Sequence, residues 1–341
     1  MKPVLDRDNI RKICIRSVNW IGDAVMTTPA MGVVRAAFPE ASITVAANPI
    51  VAELFDPHPY CDRVIVFDKK KEHKGISGIL RFGRELREER FDLAVLFQNA
   101  FEAAVVAWLA RIPRRAGYRT DGRGVLLTHG VPVGQAERRL HHTDYYVHML
   151  NGLGIEGAAG PLRLACTENE TAWAVAALGA GTVAAINPGA AYGSAKRWVP
   201  ERFAAVGDFL AAELGMRVVL TGGPGEIEIG KDIEAAMKHA PINLIGRTTV
   251  RRMMAVLSRC RIMITNDSGP MHIAAALDVP TVAVFGPTDH TTTSPLMERC
   301  RIVRKETPCA PCLRRKCPTD HRCMTSVEAH DVIEAAVSLL K

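Results

Sequence analysis

The chain has 341 residues, room for two ordinary domains, and its 48% hydrophobic and 23% charged residues are ordinary globular values. A formal charge of +7 points to an anionic partner, a phosphorylated ligand or an anionic membrane face, while 6% aromatic residues and no recognisable nucleic-acid module argue against nucleic acid. No apolar run reaches the roughly 20 residues that span a bilayer, and the N-terminal stretch MKPVLDRDNIRKICIRSVNW lacks a leader's apolar region, so a cytoplasmic protein is expected.

The first predicted strand is KICIRSV (12–18), and it runs into VNWIGDAVMTTPAMGVVRAAFP (18–39), which sets Gly22 and Asp23 at a helix start. A carboxylate there is placed to take a proton from a hydroxyl. An acidic residue in a first turn is also stabilised by the helix dipole alone, and both readings stand. Strands follow at SITVAAN (42–48) and RVIVFD (63–68). DKKKEHK (68–74) reads as an exposed loop, either plainly solvated or meeting an anionic membrane. An amphipathic helix over 75–90 and the strand LAVLFQN (93–99) continue the rhythm, which is disturbed between about 111 and 182. There RIPRRAGYRTDGRG carries Arg111, Arg114, Arg115, Arg119 and Arg123, a set suited to phosphates or carboxylates if it is more than a solvated charge run. A helix at 140–151 and a Gly/Ala-rich stretch complete the region, and the domain joint is expected near 155–180.

The second half opens with the strand VAAINPGA (183–190) and NPGAAYGSAKRWVPERF (187–203), in which a flexible loop precedes Lys196. Its ammonium is suited to neutralising a phosphate, and the alternative is a surface loop with a solvated Lys–Arg pair. A helix at 201–215 leads to the strand MRVVLTGG (216–223) and the turn TGGPGEIEIG (221–230). That turn matches neither the dinucleotide fingerprint nor the P-loop, but Glu226 in it is the kind of residue that holds a ribose diol. The strand INLIG (242–246) and a helix at 249–260 follow, and RIMITND (261–267) then enters TNDSGPMHIAAALDVPTVAVFGPT. Here Ser268 or Gly269 serves as N-cap, and Pro270 sits where its missing N–H costs little. The free amides and His272 can meet an anion, whereas Asp267 would repel one and is better suited to sugar hydroxyls or to the helix's own N–H groups. A simply capped helix with a partly buried histidine is the bland alternative.

Strands alternating with helices mean βαβ units and parallel sheets, and near-continuous apolar strands mean sheets covered on both faces. Two Rossmann-like domains, 1–165 and 166–325, are expected to face one another across a cleft. A terminal helix within 326–341 is placed to pack back across the joint. Cys309, Cys312, Cys317 and Cys323 are spaced densely enough for a small metal site, structural zinc before an iron–sulfur centre, or they stay free as redox-sensitive thiols.

Taken together and in this order, VNWIGDAVMTTPA, NPGAAYGSAKRW and TNDSGPMHIAAALDVPTVAVFGPT resemble the ADP-heptose:lipopolysaccharide heptosyltransferases over about residues 12–338. Asn266-Asp267-Ser268-Gly269 with Met271-His272, and the cysteines after 309, are more similar to the type II enzymes than to type I. The resemblance implies a GT-B glycosyltransferase fold, with the acceptor on the N-terminal domain and the nucleotide-sugar on the C-terminal one. It implies Asp23 as general base and Lys196, Ser268, Gly269 and His272 on the donor diphosphate. It further implies Asp267 on heptose hydroxyls, Glu226 at the adenosine ribose and Thr248 near the adenine; Arg114, Arg115 and Arg119 of the basic segment are the residues that suit an anionic lipopolysaccharide inner-core acceptor. The implied reaction inverts the anomeric carbon, moves heptose from ADP-heptose to the first heptose of the inner core, and needs no cofactor because Lys196 and a helix start stabilise the departing diphosphate. The expected location is cytoplasmic, peripheral to the inner membrane, with no nucleic-acid partner. Alternatives are a type I or III enzyme or a related nucleotide-sugar transferase with another acceptor. Outside catalysis, a nucleotide-sugar-binding or metal-sensing module fits, although such a binder needs no base such as Asp23. A nicotinamide dehydrogenase is disfavoured by the missing G-x-G-x-x-G.

Overall fold

Ile13, Cys14 and Ile15 are buried on both sides of their strand, as continuous apolar runs in a parallel sheet must be. The protein's structure is a computed structural model describing residues 5–341; residues 1–4, which begin both the expected first domain and the stretch read for a leader, lie outside the described residues. The chain divides between Ala165 and Cys166 into two units.

The first unit contains β1 (Lys12–Arg16), β2 (Ser42–Ala47), β3 (Arg63–Val66), β4 (Leu93–Leu96), β5 (Arg114–Tyr118) and β6 (His129–Val131). They form one sheet in the order β3-β2-β1-β4-β5-β6, and every pairing is parallel. β5 and β6 occupy the stretch whose sequence rhythm is disturbed. One sheet face carries a core of Phe67, Phe82, Leu86, Ala104 and Val106, covered by the helices Gly75–Glu88 and Phe101–Leu109.

The second unit contains β7 (Val183–Asn187), β8 (Arg217–Leu220), β9 (Ile242–Asn243), β10 (Cys260–Asn266), β11 (Thr281–Val284) and β12 (Cys300–Val303). Their order is β12-β11-β10-β7-β8-β9, again with all pairings parallel. Trp198 and Phe203 stack edge to face at 4.9 Å in its core, and the Trp198 indole N–H donates to the Val327 carbonyl at 2.9 Å. The last helix, Ala329–Leu340, packs on helix Pro200–Ala212 and on β10, β11 and β12, all within the second unit.

In each sheet the chain starts at a central strand, builds outward on one side, then returns to build the other. The return falls between β1 and β4 in the first sheet and between β7 and β10 in the second. Loops leaving the carboxyl ends of these strand pairs diverge, and such a switch point is where open α/β sheets bind ligands.

Candidate functional site

The two strands at the switch point of the second sheet, β7 and β10, lead into the two stretches the sequence singles out. Asn266, at the end of β10, donates through Nδ2 to the Pro188 carbonyl at 2.7 Å and accepts from the Trp198 N–H at 3.0 Å. Asn187, at the end of β7, donates to the Thr221 carbonyl at 2.7 Å. These buried amides fix the loop 188–198 to the neighbouring strand ends.

Lys196 and Asp267 meet across that point, with Nζ 2.5 Å from Oδ2 and side chains only 14% and 6% exposed. The Thr288 hydroxyl donates to the same Oδ2 at 2.5 Å. Among the described residues both contacts to the Asp267 carboxylate fall on Oδ2. The adjacent ammonium balances the charge of this acidic residue at the turn that the sequence offers to an anion.

Ser268 caps the helix Gly269–Ala276 in extended backbone conformation, with Pro270 in the first turn. Its hydroxyl makes no cap bond to that helix and meets Thr265 Oγ1 at 3.1 Å and Asn187 Oδ1 at 3.4 Å instead. The amides of the first turn therefore keep their donor capacity. His272 is buried in that same turn.

Lys196 closes a short 3₁₀ turn, Ser194–Lys196, and its ammonium lies 5.0 Å from the Tyr192 ring centroid. Arg315 lies over the same ring at 5.3 Å. The cysteine-rich segment holds this loop from outside: Tyr192 Oη donates to the Leu313 carbonyl at 2.7 Å, the Ala195 N–H donates to the Arg315 carbonyl at 3.1 Å, and His321 Nε2 lies 2.7 Å from the Ala195 carbonyl.

Glu226 lies beyond the end of β8, where it accepts the Gly223 N–H at 2.8 Å. A Cβ on Gly189 would fall inside the Glu226 carboxyl, and one on Gly222 would crowd it at 2.6 Å, so both glycines make room for it. Burial pushes the Glu226 carboxyl above its ordinary pKa, against the Gly223 N–H and the Arg197 charge. Thr248 is half-buried after β9, and the cap of the next helix is its neighbour Thr249, which accepts the Arg252 N–H. Lys196, Glu226, Thr248, Asp267, Ser268, Gly269 and His272 thus all follow carboxyl ends of strands in one sheet.

In the first unit Asp23 sits in the first turn of helix Ile21–Met26, beyond the carboxyl end of β1. Its Oδ1 is 3.4 Å from His142 Nδ1. Burial, and then the Asp23 charge, push the Tyr146 phenol well up. His142 and Thr288 were absent from the sequence-derived site; the consecutive histidines of LHHTDYY at a helix start and the threonine closing VAVFGPT are the available signals.

The arginine set is split. Arg114 and Arg115 begin β5, in register with Leu93 and Ala94, at the amino edge of the sheet opposite Asp23. Arg115 donates to the Leu126 and Ile112 carbonyls at 2.7 and 2.6 Å, and Arg114 is 4.0 Å from Asp6, so both serve that edge. Arg123 is fully buried and donates to backbone carbonyls of Tyr118 and Gln98. Arg119 alone of the expected acceptor set is exposed beyond the carboxyl end of β5.

The four cysteines carry free thiols, and among the described residues no three His, Cys, Asp or Glu side chains are grouped to hold a metal ion. Cys323 is buried, Cys309 exposed. Burial, and then the neighbouring thiols of Cys309, Cys312 and Cys317, push the Cys323 thiol up to about 11. The segment is tied by its hydrogen bonds to loop 192–196, and the zinc reading gains no support from this geometry.

Residues 79–322 match the family model described as glycosyltransferase family 9 (heptosyltransferase). The chain is 30% identical to lipooligosaccharide heptosyltransferase 2 of Campylobacter jejuni, over 97% of this chain and 98% of that protein. It is 31% identical to lipopolysaccharide heptosyltransferase 2 of Escherichia coli, over 86% of this chain and 88% of that one. Among solved structures, ADP-heptose LPS heptosyltransferase II of E. coli superposes with a TM-score of 0.83 at 28% identity, covering 96% and 98% of the two chains. A family 9 glycosyltransferase of Veillonella parvula reaches 0.89 at 26% identity, covering 99% of each. The fold is therefore that of the GT-B heptosyltransferases, and the chain is a glycosyltransferase belonging to family 9, the heptosyltransferases.

Proposed function

We propose that the protein moves heptose from ADP-heptose to the first heptose of a lipopolysaccharide inner core, inverting the anomeric carbon. The observation that carries this is the Lys196–Asp267 pair at the switch point, beside a helix start whose first-turn amides are not capped by a side chain. Lys196 and those amides hold the donor diphosphate, and His272 adds a donor in the same turn. Asp267, held on Oδ2 by Lys196 and Thr288, offers Oδ1 to heptose hydroxyls. Glu226 takes the ribose diol, with Thr248 toward the adenine.

Asp23 accepts the proton of the acceptor hydroxyl as it attacks from the face opposite ADP, and His142 orients that carboxylate. Charge builds on the leaving diphosphate, where Lys196 and the helix start already stand; preorganised donors of this kind supply the largest usual contribution to catalysis. Arg119 remains the arginine placed to meet acceptor phosphates or carboxylates. The acceptor's lipid anchor implies work at the cytoplasmic face of the inner membrane, peripherally, and no helix among the described residues is long and apolar enough to cross a membrane.

Mass spectrometry of the protein with ADP-heptose and Kdo–lipid A bearing no heptose or one heptose tests the reading. Addition only to the mono-heptosylated acceptor is expected. Transfer to the heptose-free acceptor would move the assignment to type I, and transfer to neither would sink it.

A further inference from the structure

In the first unit, helix Gly75–Glu88, helix Phe101–Leu109 and the 3₁₀ turn Arg123–Leu126 lie side by side over one sheet face. Gly83 lets the two helices close, since a Cβ there would press on the Leu109 side chain at 2.7 Å. Their inner sides bury Phe82, Leu86 and Ala104 in the core. Their outer sides are apolar as well. Among the described residues the first unit exposes eight large hydrophobic side chains, and five of them, Ile76, Leu80, Phe101, Trp108 and Val125, stand on this one layer. Ile76 and Val125 are 79% and 88% exposed. Single exposed apolar residues are ordinary, but a gathered set marks a binding face.

The rim is basic. From residue 69 to 84 the chain carries Lys69, Lys70, Lys71, Lys74, Arg81 and Arg84 against a single acid, Glu72. The loop is built to hold them: Asp68 Oδ1 accepts the Lys70 and Lys71 N–H groups at 2.9 and 3.1 Å, buried His73 pairs with Glu85 at 3.0 Å, and Lys69 reaches Glu102 on the next helix at 2.6 Å. Lys69–Lys74 and Phe101 follow β3 and β4, so they stand at the carboxyl edge of the sheet, as Asp23 does.

We infer that this outer layer is the surface by which the protein lies on an anionic bilayer, with Ile76, Leu80, Phe101, Trp108 and Val125 entering the headgroup–acyl boundary and the 69–84 cations meeting lipid phosphates. Apolar side chains ringed by Lys and Arg are what an interfacial surface requires. The inference rests on the proposed lipid-anchored acceptor and adds the face that reaches it.

Flotation of the full chain with phosphatidylcholine vesicles, with and without phosphatidylglycerol, tests it. Binding is expected only with phosphatidylglycerol. Each surface lysine contributes about fivefold near an anionic bilayer, so Lys70→Glu with Lys71→Glu is expected to weaken binding at least about 25-fold. Ile76→Ser with Leu80→Ser is expected to weaken it by about tenfold or more. Both variants are expected to keep the wild-type melting temperature and undiminished transfer to a detergent-dispersed acceptor. Failure of that soluble transfer in the wild type sinks the proposed reaction but leaves vesicle binding as a separate readout. Variants that float like wild type, or a wild type that ignores phosphatidylglycerol, overturn the inference. So does a concentration-dependent dimer that the same substitutions abolish, which assigns the face to a second copy of the chain.

Discussion

Replacing Lys196 by alanine separates what this residue does for the reaction from what it does for the fold. Its ammonium is 2.5 Å from Asp267 Oδ2, and both side chains are mostly buried. Removing one partner of a buried pair strands the other charge, at a cost of about 3–5 kcal/mol in fully buried cases. The Thr288 hydroxyl still donates to Asp267 and Lys196 is not wholly enclosed, so about 2–3 kcal/mol is expected here. For a unit of this size that lowers the melting temperature by about 5–10 °C. Transfer should fall further than stability explains, by about 10²–10³ in kcat, the usual loss when one preorganised donor to a developing oxyanion is removed. Adding Asp267→Asn to Lys196→Ala neutralises the stranded carboxylate, so the melting temperature recovers while transfer stays lost. Scanning calorimetry and the mass-spectrometric transfer assay read the two effects separately. Recovery of transfer in the double variant would refute the reasoning, because the lysine would then serve only to neutralise Asp267.

Asp23→Asn is expected to lower transfer by about 10²–10⁴ with ADP binding by calorimetry unchanged, since the proposed base belongs to the first unit and the proposed nucleotide site to the second. Glu226→Gln should weaken ADP binding by about 10-fold or more, the worth of a hydrogen bond to a charged group. The same change should raise the melting temperature at pH 7: the folded Glu226 holds its proton more tightly than the unfolded chain does, so its ionisation costs stability as pH rises above about 4.5, and the gain should vanish in acid. Arg251→Met tests the opposite sign. Burial raises the Glu170 pKa, but hydrogen bonds from Arg251 and the Thr167 N–H more than offset it, so this pair's stabilisation is present above the ordinary carboxylate range and lost as pH falls through the lowered value. A melting temperature that drops at pH 7 and converges with wild type in acid is expected, and a pH-independent drop would refute the ion-pair account.

Both sheets were legible where strands are apolar. Runs such as KICIRSV and RIMITND are buried on two faces and carry that fact in their composition. β5 was not legible, because its first residues are Arg114 and Arg115, whose guanidinium groups turn to the sheet's amino edge. β6 is three residues long, too short for any period to register. The same blindness applies to Arg114 and Arg115: sequence shows that charges cluster, but only register shows which end of a strand they occupy. The turns expected to meet the donor carry backbone signals, which a sequence does show. Gly189 and Gly222 have no side chain where the Glu226 carboxyl enters, and Pro270 stands where a first helical turn tolerates it.

Asp267 shows what one chain position leaves undetermined. As an isolated letter it argued against a phosphate in the turn that follows it. The structure couples it to Lys196, 71 residues away along the chain, so the two together are neutral and do not oppose an anion at the helix start in the proposed site. Lys196 has three N–H donors and spends one on Asp267, which leaves two for the diphosphate proposed to bind there. The carboxylate thereby fixes the direction of the ammonium before donor arrives, and a lysine already held in place loses less side-chain entropy on binding than one ordered only by its ligand. In the proposed anion site Asp267 is thus a positioning element, and the conservative Asp267→Glu change tests it. Its extra methylene pushes the carboxylate toward the ammonium, so the pair survives in displaced form. Melting temperature should then hold while kcat falls, whereas equal transfer by Asp267→Glu would mean that the direction of Lys196 does not matter.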